Sequence, residues 1–192
     1  MEPDDGPVGV RDVDSMLAVS AAPGLEVDAV AALSPPPFTD FYRRSRDQVG
    51  RALALTLGDA ELAAEAVDEA MARAYARWSK IGAYENPGGW VYRVALNWAT
   101  SVARRRRRQP HAPVDRDPTD VGPVAEPSVR AALEQLDVRH RAVIVCRYYL
   151  GLSEAETAAA LGTRPGTVKS RLHRATRRLQ IDLAHLDPSE QQ

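Results

Sequence analysis

The sequence predicts an all-α protein of two small helical domains joined by a linker, and three observations carry that prediction. Apolar residues recur at helical spacing through 38–108 and again through 129–183. Helix punctuation is explicit in the second block: Ser153 lies three residues before Glu156, Gly162 follows an apolar run, and Pro165 opens the next. Between the blocks, 109–128 holds Pro110, Pro113, Pro118, Pro123 and Pro127 with four acids, Asp115, Asp117, Asp120 and Glu126, a linker composition. A chain of 192 residues has room for one large or two small domains.

Residues 1–37 carry seven acids (Glu2, Asp4, Asp5, Asp12, Asp14, Glu26, Asp28) against the single base Arg11 and end in Pro35-Pro36-Pro37. This acidic extension is expected to be disordered, apart from a short helix around 27–33. Phe38, Phe41, Tyr42, Val49, Leu53 and Leu57 then give an amphipathic helix stopped near Gly58. Asp59 or a neighbour caps a second helix, with Leu62, Ala66, Met71, Ala74, Tyr75 and Trp78 as its apolar stripe and Glu61, Glu65, Asp68 and Glu69 beside it. A turn-rich loop, 81–89, precedes a third helix over 90–108, for which Asn86 and Pro87 serve as N-cap and first turn. Val91, Val94, Ala95, Trp98 and Val102 form its buried stripe, and Arg104 to Arg108 end it.

The linker of twenty residues reaches at most roughly 70 Å when extended, about two turns of duplex DNA at roughly 34–36 Å each. Val129, Leu133 and Leu136 mark a short helix, and Asp137 caps another over 138–149 with Ala142, Val143, Cys146 and Tyr149 inward. Two further helices around the Gly162 turn make a helix-turn-helix, whose second helix enters the major groove of DNA. From Arg164 to Arg178 that helix carries Arg164, Lys169, Arg171, Arg174, Arg177 and Arg178 and no acid. Val168, Leu172, Ala175 and Leu179 face the core, leaving Lys169, Ser170, His173 and Arg174 for the groove. The bland alternative is a solvated basic face. Residues 184–192 form a tail.

The net charge of −1 and pI near 6.4 conceal this segregation of charge. Cys146 is the only cysteine, which excludes an internal disulfide and a cysteine zinc site. His111, His140, His173 and His185 show no metal-ligand spacing. Neither a nucleophile setting nor a phosphate-binding glycine loop is present, so neither an enzyme nor a cofactor is expected. No 18-residue apolar run and no signal-peptide pattern occurs, which points to a cytoplasmic protein that does not enter membranes.

Both blocks resemble the extracytoplasmic-function (group 4) family of bacterial RNA polymerase sigma factors, the sigma-70 family. The segment Gly166-Thr167-Val168-Lys169-Ser170-Arg171-Leu172-His173-Arg174-Ala175 is similar to the family's recognition helix, and Arg147-Tyr148-Tyr149 with Gly151-Leu152-Ser153 to the segment before it. Asn86-Pro87, Trp90-Val91-Tyr92-Arg93-Val94-Ala95 and Asn97 with the arginine run resemble the −10 recognition helix. Glu65 to Met71 with Arg73-Ala74-Tyr75 resembles the helix that docks on the polymerase clamp, with departures at Asp68 (usually Gln) and Met71 (commonly Phe); Ser101 stands where Asp is frequent.

The resemblance implies region 2 over 38–108 and region 4 over 129–183. It implies −35 contacts by Arg164, Thr167, Lys169, Ser170, Arg171, His173, Arg174 and Arg177. It also implies −10 contacts by Tyr84, Asn86, Trp90, Tyr92, Arg93, Asn97, Arg104 and Arg105, aromatic and amide groups suiting unpaired bases, with a pocket for one base in the 82–89 loop. Core-polymerase contacts fall to Glu65, Asp68, Glu69, Met71, Arg73 and Tyr75, although acids on that helix also read as a solvated face, and Trp90 and Trp98 as core. Partners implied are core RNA polymerase (clamp and flap), promoter DNA and, left open, an anti-sigma factor. Two competitors remain: a stand-alone helix-turn-helix regulator, and a serine recombinase, which needs an α/β catalytic domain.

Overall fold

The structure, a computed structural model, describes residues 35–108 and 125–184; the acidic extension up to Ser34, most of the proline-rich linker and the tail from His185 lie outside them. The described residues are helical with no strand. Helix α1 spans Phe38–Leu57, α2 Ala60–Ala76, α3 Trp78–Ile81 and α4 Pro87–Arg108. After the linker come α5 (Pro127–Glu134), α6 (Val138–Ile144) running into a π-helical turn (Val145–Tyr149), α7 (Glu154–Leu161) and α8 (Pro165–Leu183).

The punctuation acts as its chemistry dictates. Gly58 ends α1 in the left-handed region at φ 68°, its N–H bonded to the Ala54 carbonyl, and the Asp59 carboxylate then accepts from the Leu62 N–H at 2.9 Å to open α2. Asn86 Oδ1 accepts from the Gly89 N–H at 2.7 Å at the head of α4. Ser153 and Glu156 form a reciprocal capping box. Each such cap contributes about 1 kcal/mol. The loop expected over 81–89 is shorter than anticipated, because Trp78–Ile81 coils into α3 before it and α4 begins at Pro87.

Helix α4 packs against α1 and α2, whose facing stripes are rich in alanine (Ala52, Ala63, Ala66, Ala70, Ala74) and permit close approach. In the second block α8 rests on α5, α6 and α7 through Val168 and Ala175, with Leu172 and Leu179 partly covered. The two blocks then pack together: α7 lies on α4, and α6 and the π-helical turn lie on α1. Val145, Cys146, Leu152 and Ala160 accordingly belong to the same apolar cluster as Leu53, Val91 and Tyr92. This explains why Arg141 to Cys146 are buried without a break, where the sequence marked only one inner face, Ala142, Val143, Cys146 and Tyr149. A helical stretch met by neighbours on two sides loses its solvent stripe there.

Arg141, unremarked in the sequence, is the charged residue inside this junction. Its Nη2 donates to the carbonyls of Leu136 (2.9 Å) and Glu134 (3.2 Å), and burial lowers its pKa from the ordinary guanidinium value. The guanidinium also abuts Gly58, where a Cβ would come within 3.1 Å of Nη1. A buried cation is tolerable only with such hydrogen-bonded partners.

Candidate nucleic-acid interface

The second helix of the helix-turn-helix is presented as its sequence suggests. Gly162 stops α7 at φ 60°, the Thr163 N–H returns to the Ala158 carbonyl at 2.9 Å, and Pro165 begins α8 with no amide proton to satisfy. With Val168 and Ala175 pointing inward, Lys169, Ser170, His173, Arg174 and Arg177 are exposed, as is Arg164 at the N-cap; Thr167 and Arg171 are half-buried at the margin. Among the described residues no carboxylate pairs with Arg164, Lys169, Arg171, Arg174 or Arg177, while Arg178 is held by Asp182 at 3.0 Å. The result is a solvent-facing stripe of uncompensated positive charge on a rigid helix. Such a stripe can neutralise phosphates and reach base edges in a major groove.

The first turns of α4 differ from the expectation. Tyr92 is 0% exposed, so it cannot stack on a base in this structure. Its hydroxyl shares a hydrogen bond with Thr56 Oγ1 at 2.6 Å, and Thr56 Oγ1 also lies 2.9 Å from the Ala52 carbonyl, to which it can donate. Burial, with Cys146 close by, raises the Tyr92 pKa well above its ordinary value, and burial likewise pushes the Cys146 thiol up to about 12. Thr56, α4 and the π-helical turn thus share one polar contact in the core. The sequence signal for this contact is Thr56, a threonine beside the apolar stripe of α1.

Trp90 is also buried, joining the core as the bland alternative held. Trp98 is only partly buried against the same core. Arg93 is half-buried: its Nη1 donates to the Ala159 carbonyl of α7 at 3.3 Å, and burial lowers its pKa. Tyr84 is half-buried against the core, and Asn86 has its side-chain oxygen engaged in capping. Of the α4 set, Asn97, Arg104 and Arg105 are freely exposed. A cleft of about 840 Å³ does open at the 82–89 loop, with Tyr84, Asn86, Trp90 and Arg93 on one wall. Its other wall is α7, contributed by Ser153, Glu156 and Ala159.

The acidic set on α2 faces outward but is already paired within the chain. Asp68 accepts from Arg46 at 3.0 Å, Glu69 from Arg73 at 2.7 Å, and Glu65 meets Arg106 at 3.4 Å. Exposed pairs of this kind contribute about 0–1 kcal/mol and exchange readily for other partners. Met71 corrects the expectation: at 2% exposed it packs under α2 and offers no apolar contact outward. Tyr75, 68% exposed beside Phe38, remains available. No group of metal-ligating side chains occurs among the described residues, and no helix there is long and apolar enough to cross a membrane.

Comparison with known proteins bears on this geometry. The family model "Sigma-70, region 4" matches residues 127–179. The ECF RNA polymerase sigma factor SigL of Mycobacterium tuberculosis is 39% identical over 145 residues, 70% of this chain and 81% of SigL. SigM of the same organism is 34% identical over 158 residues, covering 78% of this chain and 79% of SigM. The sigma-E factor of Streptomyces coelicolor is 32% identical over 157 residues, 78% of this chain and 88% of its own. Among solved structures, the sigma factor RpoE in complex with the anti-sigma factor NepR, from Bartonella quintana, shares the fold with a TM-score of 0.64 over 77% of this chain and 96% of that one, at 23% identity.

Proposed function

The chain belongs to the extracytoplasmic-function sigma factors of RNA polymerase, and we propose that it binds core RNA polymerase and directs transcription initiation from promoters with −10 and −35 elements. The observation that carries this reading is the uncompensated basic face of α8. In it, 129–183 is region 4, with Lys169, Ser170, His173, Arg174 and Arg177 set toward the −35 duplex and Arg164, Thr167 and Arg171 at the edge of the contact. Residues 38–108 are region 2: Asn97, Arg104 and Arg105 meet the −10 strand first, Arg93 and the cleft at 82–89 later. Residues 109–128 link the two.

Core polymerase is engaged by Glu65, Asp68, Glu69, Arg73 and Tyr75, the acids exchanging their intrachain arginines for basic groups on the clamp, while region 4 meets the flap. Catalysis belongs to the polymerase, and the protein works in the cytoplasm. The Bartonella relative, bound to an anti-sigma factor, supports a partner of that class here too.

Run-off transcription with core polymerase tests the reading. The chain should confer promoter-specific transcripts, and replacing both Lys169 and Arg174 by Ala should abolish them without changing helix content. Unchanged transcription in that variant would remove α8 as the DNA reader.

A further inference from the structure

We propose that Pro35-Pro36, acting through Trp78 and Gly82, is a brace that positions the 82–89 loop and so sets which unpaired base its cleft prefers. The base preference rests on the function proposed above; the brace itself does not. Three consecutive prolines, Pro35-Pro36-Pro37, lead into α1 as a stiff segment, because each ring fixes its own φ and restricts the residue before it. Pro37 has polyproline geometry (φ −52°, ψ 136°), and its carbonyl accepts from the Asp40 and Phe41 amides as α1 starts. At the other end Pro35 lies on Gly82, where an added Cβ would stand 2.5 Å from the Pro35 Cβ and 2.8 Å from Trp78 Cε2. Gly82 has φ −64°, open to any residue, so a glycine is needed here for space and not for conformation.

Trp78 ties the two together. Its ring centroid is 4.8 Å from that of Phe41 and 5.3 Å from that of Phe38, and its Nε1 donates to the Pro36 carbonyl at 2.7 Å. The indole has a single donor, so this bond fixes both the ring and the path of the proline segment. The loop held in this way walls the cleft. Ile81, 1% exposed, anchors its start in the core, and the Asn86 side chain ends it by capping α4. Between them run short turn bonds, from the Ala83 N–H to the Lys80 carbonyl (3.2 Å) and from the Tyr84 N–H to the Ile81 carbonyl (3.1 Å). Lys80, Ala83, Tyr84 and Asn86 line the cleft on this side. A site discriminates between similar ligands when supporting residues hold its walls to within about 0.5 Å. Pro35, Pro36 and Trp78 stand behind the wall without lining the cleft, which makes them positioning residues.

Two variants of the full-length chain test the brace. Trp78→Phe keeps a ring against Phe41 but has no N–H to donate, and Pro35→Gly removes the ring that rests on Gly82. In each, amides 82–84 of the free chain should exchange with deuterium about ten-fold faster, the effect of about 1.4 kcal/mol of lost local order. Exchange over 94–99, in the middle of α4, should stay at the wild-type rate. With core RNA polymerase, the wild-type chain is then used to select a promoter from a randomised duplex pool. Transcription is compared on that promoter and on versions carrying each other base at each −10 position. Both variants should lose about five-fold of the wild-type base preference, within what one stacked base contributes. Changes in the −35 element should cost them no more than they cost the wild type. A chain that is merely less stable would instead lose transcripts from every promoter alike.

Unchanged exchange at 82–84 in both variants would overturn the brace. Faster exchange with an intact base preference would overturn its positioning role. If the wild-type chain selects no promoter, the transcription reading fails, and the exchange rates still decide the brace.

Discussion

Helices α4 and α8 look alike as sequence. Both open at a proline, both carry an amphipathic stripe, and both are rich in arginine toward their C-terminal halves. In the structure they part. Helix α8 shows its basic face to solvent, with only Arg178 compensated, by Asp182. Helix α4 shows solvent its last turns, from Arg104 to Arg108, but its first turns lie under α7 and against α1. The difference is one of neighbours. Helix α8 has a single covered side, against α5, α6 and α7, whereas α4 is enclosed by α1 and α2 on one side and α7 on another. Equivalent local patterns thus give one surface ready for contact and another that is partly core.

Large-to-small changes should separate the two helices most. Tyr92→Ala removes a fully buried ring and its hydrogen bond with Thr56, so urea unfolding should show a loss of about 3–5 kcal/mol. Lys169→Ala on α8 should stay within about 0.5 kcal/mol of wild type in the same experiment. Equal stability losses at the two positions would erase the distinction between a core helix and a contact helix.

Next in size are effects on DNA, where the ranking reverses. Arg174→Ala should weaken binding of the polymerase complex to a −35 element by about 1–3 kcal/mol if it reads a base. If it meets a phosphate, it should instead weaken all sequences alike and lower the salt slope by about one. Titrations of labelled duplex at several salt concentrations tell these apart, and binding unaffected at every salt would show α8 to be a plain solvated helix.

The cap of α7 sets a smaller effect with a pH signature. Hydrogen bonds from Ser153, side chain and backbone, hold the Glu156 carboxyl below the ordinary value of 4.5. Its folded pKa lies below its unfolded one, so its contribution is complete above the unfolded pKa and disappears as pH falls through the folded pKa. Ser153→Ala should cost about 1 kcal/mol at neutral pH. That difference should shrink toward pH 3 in thermal melts, and a cost that stays constant with pH would mean that the box contributes through the serine alone.

The smallest stability effect is expected on α2. Replacing Glu65 and Glu69 by Lys disrupts the contacts with Arg106 and Arg73, yet exposed pairs like these change stability by about 0–1 kcal/mol. The functional consequence should be larger: co-elution with core polymerase should weaken, because the reversed charges would meet a basic surface. Undiminished co-elution would leave these acids as a solvated face.

The caps, stops and starts that depend on residues a few positions apart were legible in the sequence. Asp59, Asn86, Ser153–Glu156, Gly162 and Pro165 each bond, stop or start backbone within one helical turn, so their roles were legible without a third dimension. The exposed basic stripe of α8 was legible for the same reason, since its outward face is set by which residues face in. Only the tertiary structure decided the fate of Tyr92, Trp90, Arg93 and Met71. A stripe of helical period marks the side that meets one neighbour, and α4 and α6 each meet two. Tyr92 went to the core because Thr56 and Cys146, far away in the chain, converge on it, and Arg93 became half-buried because α7 settled on α4. Contacts between residues 36 and 66 positions apart depend on how whole helices pack, and no local pattern encodes that.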